Sequence, residues 1–142
     1  MLTEDEAVKK VRTYFDTGYN CAESILMIMQ EYLGVDVDPK MATGFGGGIA
    51  RKRAICGAIT GSILVIDIKY GRNSEKDGRE PAYERTQKLW DMMEKKYGTV
   101  VCRELIDLPQ NQTRGTQPKG HHQICNRVVE DAIRYMIIVL KE

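Results

Sequence analysis

The sequence predicts an all-α protein, a compact single-domain helical bundle of about five to six helices over residues 1–142. Three observations carry that expectation. Helix-capping signals recur along the chain, apolar residues return at helical spacing after each of them, and glycines stop several of the segments.

The first helix opens at a capping box of Thr3 and Glu6 and continues through Ala7, Val8, Val11, Tyr14 and Phe15. Asn20 with Glu23 repeats the device. It starts a second helix carrying Ile25, Leu26, Ile28, Met29 and Leu33, with Gly34 as its stop. Asp38-Pro39 is a short-turn signal, Asp as cap and Pro at the first helical position. A third helix is expected from about Ala54 to Tyr70, and Arg72 to Arg79 as an exposed polar loop. A fourth runs from about Glu80 to Tyr97 and stops at Gly98. Thr99 is the expected cap of a short helix with Cys102, Leu105 and Ile106, followed by a loop from Asp107 to Gly120. The last helix is expected from about His122 to Leu140, with Val128, Val129, Ala132, Ile133, Tyr135 and Met136 inward. Two stretches, Ile63 to Ile66 and Ile137 to Leu140, have strand-like composition. Each ends a longer helical pattern, which favours buried helix.

Composition narrows the function classes. The chain has 21 Lys and Arg against 20 Asp and Glu, a net charge of +1, so no basic footprint for nucleic acid or an anionic membrane stands out. The apolar run Met136 to Leu140 is too short to span a bilayer, so no membrane insertion is expected. The acidic start, Met1 to Glu6, lacks the basic and apolar regions of a signal peptide, so the expected location is the cytoplasm. In that reducing compartment four cysteines suggest thiol chemistry or metal ligation more than permanent crosslinks.

The cysteines are Cys21, Cys56, Cys102 and Cys125. None belongs to a CxxC pair, and the absence of CxxCH excludes covalent haem attachment. Cys21 follows the cap Asn20, Cys102 follows Thr99 by three residues, and Cys125 falls in the first turn of the last helix. Backbone N–H groups and the helix dipole favour thiolate there, which predicts lowered pKa values. The competing reading is plain burial, which is common for free cysteine.

The run Gly44-Phe45-Gly46-Gly47-Gly48 lacks the strand and the Lys-Ser/Thr that a phosphate loop needs. It is expected instead to be a loop with positive φ and close backbone approach. Gly57 and Gly61, four residues apart beside Cys56, lie on one helix face that something approaches closely, either another helix or a cofactor.

The Cys56-Gly57-Ala58-x-x-Gly61 hexamer, the Phe-Gly-Gly-Gly run before it and the three other cysteines resemble the C_GCAxxG_C_C family, to whose members redox activity is ascribed. The resemblance extends from about Cys21 to Cys125. It implies that Cys21, Cys56, Cys102 and Cys125 are the family's signature cysteines and that the protein is redox-active, with an iron–sulfur cluster as one implied cofactor. Arg51-Lys52-Arg53 makes the segment before Cys56 unusually basic for that pattern.

Three mechanisms follow. In the first, the four cysteines ligate a single iron ion or an iron–sulfur cluster such as [2Fe–2S], with Gly57 and Gly61 beside it, as an electron carrier. In the second, the same cysteines are catalytic thiols of a metal-free thiol–disulfide oxidoreductase or redox sensor. In the third, a structural zinc or simple packing leaves a non-redox interaction protein. The wide spacing of the cysteines favours the first, because dithiol enzymes commonly hold a resolving thiol close in sequence. The redox partner protein is not identified by the sequence. His121 and His122 are candidate helpers of Cys125, Arg51 to Arg53 candidate counter-charges near Cys56, and Trp90, Met92, Met93 and Tyr97 core or homodimer contacts.

Overall fold

The computed structural model describes residues 2–109 and 123–142, and among these it is all-α, without a strand. The helices are α1 (Glu4–Thr17), α2 (Cys21–Leu33), α3 (Gly57–Tyr70), α4 (Glu80–Tyr97), α5 (Cys102–Ile106) and α6 (Gln123–Leu140), with a 3-10 helix at Pro39–Phe45. With the 3-10 helix, seven helical elements are described, slightly more than the five to six expected.

Local chemistry accounts for the boundaries. Thr3 accepts the Glu6 N–H at 3.1 Å, making the Thr3 half of the predicted box. Asn20 and Glu23 make both halves of theirs, at 2.8 and 2.9 Å. Gly18, Gly34 and Gly98 end α1, α2 and α4 in left-handed conformation. The strand-like runs at 63–66 and 137–140 are both helical. They lie on helices that pack against each other, and Val65, Ile66, Ile137 and Val139 are taken up by core packing that outweighs propensity. Two boundaries differ from expectation. The third helix begins at Gly57, not Ala54, and Val101, not Thr99, precedes α5. Thr99 instead accepts the Val101 N–H at 3.0 Å from outside the helix.

At the centre α2 and α3 lie side by side, α1 packs on α2 and α6, and α4 packs on α3 and α6. The core between them holds Phe15, Ile25, Met29, Ile66, Leu89 and Ile133, all fully buried. Each such side chain contributes about 1.5–3 kcal/mol by leaving water. Met93 and Tyr97 are buried in this core, and Trp90 and Met92 pack against it partly buried. Polar ties close the rim: Tyr97 donates to Asp131 at 2.6 Å, and Tyr70 donates to the Leu140 carbonyl at 2.9 Å. Among the described residues no helix is long and apolar enough to cross a membrane.

Candidate redox site

All four cysteines line a single cavity of about 420 Å³. Each also stands at a helix start: Cys21 and Cys102 are the first residues of α2 and α5, Cys56 is the N-cap of α3, and Cys125 is the third residue of α6. The sequence pattern indicated three of these. Cys56 was obscured because the expected helix began three residues too early, ahead of it.

A local pairing brings two of the cysteines together. The segments entering α3 and α5 run antiparallel, with an isolated bridge between Ile55 and Val101. The Cys56 N–H donates to the Val100 carbonyl at 2.9 Å, and the Cys102 N–H to Ala54 at 2.7 Å. These bonds fix both helix starts against one another although 46 residues separate the cysteines.

Gly57 and Gly61 face α2. A Cβ at Gly57 would lie 2.3 Å from the Cys21 sulfur and 2.9 Å from the Phe45 carbonyl oxygen. At Gly61 it would lie 2.9 Å from the Ala22 Cα. The close neighbour anticipated from the sequence is therefore helix α2, and at Gly57 that helix presents Cys21 itself. Gly57 lines the cavity, whereas Gly61 serves helix contact.

The glycine run has the positive φ expected of it, and the conformation extends well beyond the glycines. Gly47, Gly48, Ile49, Ala50 and Arg51 have φ of 64, 69, 65, 48 and 63°, and Arg53 follows at 61°. Five consecutive left-handed residues form a turn of the hand that L-residues avoid, at roughly 1–2 kcal/mol for each non-glycine. Six backbone bonds hold it: Ile49 to Phe45, Ala50 to Gly44, Arg51 to Gly46, Lys52 to Ile49, Arg53 to Gly47 and Ala54 to Gly48, at 2.9 to 3.3 Å. Nothing in the side chains of Ile49, Ala50 or Arg51 announces this conformation, so sequence reasoning missed it. Strain of this kind persists where surrounding structure imposes it, and it concentrates at functional sites. Here the turn walls the cavity, and Gly48 packs so close to Cys102 that a Cβ would meet that residue's own Cβ at 2.6 Å.

The electrostatics of the thiols differ from the sequence expectation. Burial pushes the Cys21 thiol up, and the backbone N–H groups of Gly47 and Ala22 offset part of that rise. Cys56 is pushed well up by burial, then by the neighbouring Cys21, Cys125 and Cys102; the Ala58 N–H opposes this without making a capping bond. The lowered pKa expected at a helix start is thus corrected for Cys21, and at Cys56 as well desolvation outweighs the N–H donors. Arg53 supplies a counter-charge. Its Nη1 donates to the Cys102 sulfur at 3.6 Å, so the one member of the basic run bonded to a thiol meets Cys102, not Cys56 as its position in sequence suggested. Cys21, Cys56 and Cys102 are free thiols. His121 and His122 lie outside the described residues.

Among the described residues, no three Cys, His, Asp or Glu side chains stand close enough together to hold a single metal ion. All four cysteines line a common cavity instead. No curated protein and no solved structure matches the chain. The family model described as "Putative redox-active protein (C_GCAxxG_C_C)" matches residues 19–137, a span that contains all four cysteines, the glycine run and the Cys56 hexamer. The chain belongs to the C_GCAxxG_C_C family.

Proposed function

We propose that the protein is an electron carrier whose Cys21, Cys56, Cys102 and Cys125 hold an iron–sulfur cluster. The observation that carries this reading is the convergence of four thiols, from the starts of four helices, on one cavity of about 420 Å³. Soft thiolates are the donors such clusters take. A single zinc or iron needs its sulfurs about 2.3 Å from one point. Sulfurs spread around a larger space suit a cluster better.

The chain's own groups fit an anionic centre. Arg53 bonded to the Cys102 sulfur and the Gly47 N–H directed at Cys21 stabilise negative charge on the ligands. Enclosure of Cys56 keeps water away from that side. The mutual repulsion that raises Cys56 is relieved when a cationic centre stands among the four sulfurs. When bound, the cluster supplies one-electron exchange; the protein supplies ligands, counter-charge and exclusion of solvent.

A second reading has its own support. The Cys21 sulfur rests against Gly57, the residue beside Cys56, which favours a dithiol–disulfide cycle between these two thiols. The two readings separate in one experiment. Protein purified without oxygen is expected to contain iron and acid-labile sulfide, and each of the four Cys→Ser variants to lose both. A colourless, iron-free protein that reduces a disulfide, and needs only Cys21 and Cys56 to do so, removes the cluster reading.

A further inference from the structure

The turn over the cavity faces two ways. Inward, Arg53 reaches the Cys102 sulfur. Outward, Ile49 stands 42% exposed between Gly48 and Ala50, both of which line the cavity. A β-branched residue held at φ 65° and turned to solvent pays twice, once in backbone strain and once in exposed apolar surface. Neither payment improves the core.

Two other exposed apolar residues stand near in the chain to residues that line the cavity, the Tyr19 ring also meeting Tyr14 edge-on. Tyr19, 42% exposed, adjoins Asn20, whose side chain donates to the Thr43 carbonyl and packs on Gly46. Met41, 59% exposed, lies on the 3-10 helix two residues before Thr43. Beside them Arg51 and Lys52 are exposed, and among the described residues neither has an ion-pair partner. Tyrosine, methionine and arginine are side chains enriched at protein interfaces. Two free cations beside an apolar patch complement a partner bearing carboxylates. A small anion would make no use of Tyr19, Met41 and Ile49, and anionic membranes are recognised by larger basic clusters of about four to eight residues.

We infer that the mouth of the cysteine cavity, framed by Tyr19, Met41, Ile49, Arg51 and Lys52, is the docking surface for an acidic redox protein. The word redox rests on the function proposed above; the surface and the charge of its partner do not. Docking here brings the partner against residues 46–53, which wall one side of the cysteine cavity.

The test maps binding by amide chemical shifts of the labelled protein. The probes are an oxidised acidic [2Fe–2S] ferredoxin and, with opposite charge, a basic cytochrome c. The ferredoxin alone is expected to move the amides of Tyr19, Met41 and Ile49 to Lys52, and high salt to abolish the shifts. The Arg51→Glu, Lys52→Glu double variant is expected to bind at least about tenfold more weakly. Ile49→Gly provides the control for folding: it relieves the left-handed backbone, so its melting temperature stays the same or rises while its binding weakens. Shifts that are absent, lie elsewhere, follow the cytochrome equally or survive these substitutions overturn the inference. So do shifts that anionic lipid vesicles produce and the ferredoxin does not. Binding at this surface by an iron-free protein with no reversible oxidation supports the docking site and removes the cluster reading; bound iron with no shifts does the reverse.

Discussion

The two ends of α3 are built on opposite terms. Toward its C-terminus, Val65 and Ile66 are buried among the apolar faces of neighbouring helices, and Tyr70 closes the contact by donating to the last turn of α6. Side chains there sit in ordinary helix, with capping and burial acting together. At its N-terminus the cap is a cysteine without a side-chain capping bond, the following glycine is pressed on a sulfur, and the wall opposite is a left-handed turn. One end adds stability; the other spends some of it to hold four thiols around a cavity. Strain and enclosed thiols in one place mark the site more clearly than any single residue does.

The contrast can be broken from either side, and the largest effect is expected in the packed region. Ile133→Ala, at a fully buried position away from the cavity, should cost about 2–5 kcal/mol in denaturant unfolding, as large-to-small core changes do. The folded fraction should keep its cysteine chemistry unchanged. A fall in bound iron or thiol reactivity per folded molecule would blur the division between the two ends.

Gly57→Ala and Gly61→Ala then compare two overpacked positions on one face. Both should destabilise by about 1–3 kcal/mol, since a Cβ meets neighbours under 3.0 Å in each. At Gly61 the neighbour is the Ala22 backbone, and at Gly57 it is the Cys21 sulfur. Only Gly57→Ala should therefore change the iron content or redox titration of the protein that remains folded. Equal effects at both positions would make the hexamer a packing motif alone.

The smallest expected effect has the opposite sign. Ala50→Gly removes a Cβ from a residue at φ 48° and should raise stability by up to about 1 kcal/mol, the entropy of the unfolded glycine offsetting part of the relief. A thermal shift upward supports stored strain in the turn. A clear loss of stability would mean that Ala50 is well accommodated there.

How much of this was legible in the chain follows from the range of the forces involved. Asn20 and Glu23, three residues apart, define a helix start wherever they occur, and Gly34 and Gly98 end helices by their own freedom at positive φ. The spacing of Val128, Val129, Ala132, Ile133 and Met136 likewise marks the buried face of α6. The helical class, most helix boundaries and the family hexamer are thus determined by residues within a turn or two of each other. The site is different. That Cys56 meets Cys102 depends on an antiparallel pairing of residues 53–56 with 100–103, and that Gly57 fits depends on the place of Cys21 on another helix. Arg53 turns to Cys102 from a backbone conformation that its own side chain disfavours. Desolvation of Cys21 and Cys56, which reverses the effect expected of a helix start, comes from atoms distant in sequence. The sequence by itself determined the helices and the four thiols; tertiary structure decided their common cavity, their charge environment and the strained wall over them, because these depend on contacts between segments that no local spacing encodes.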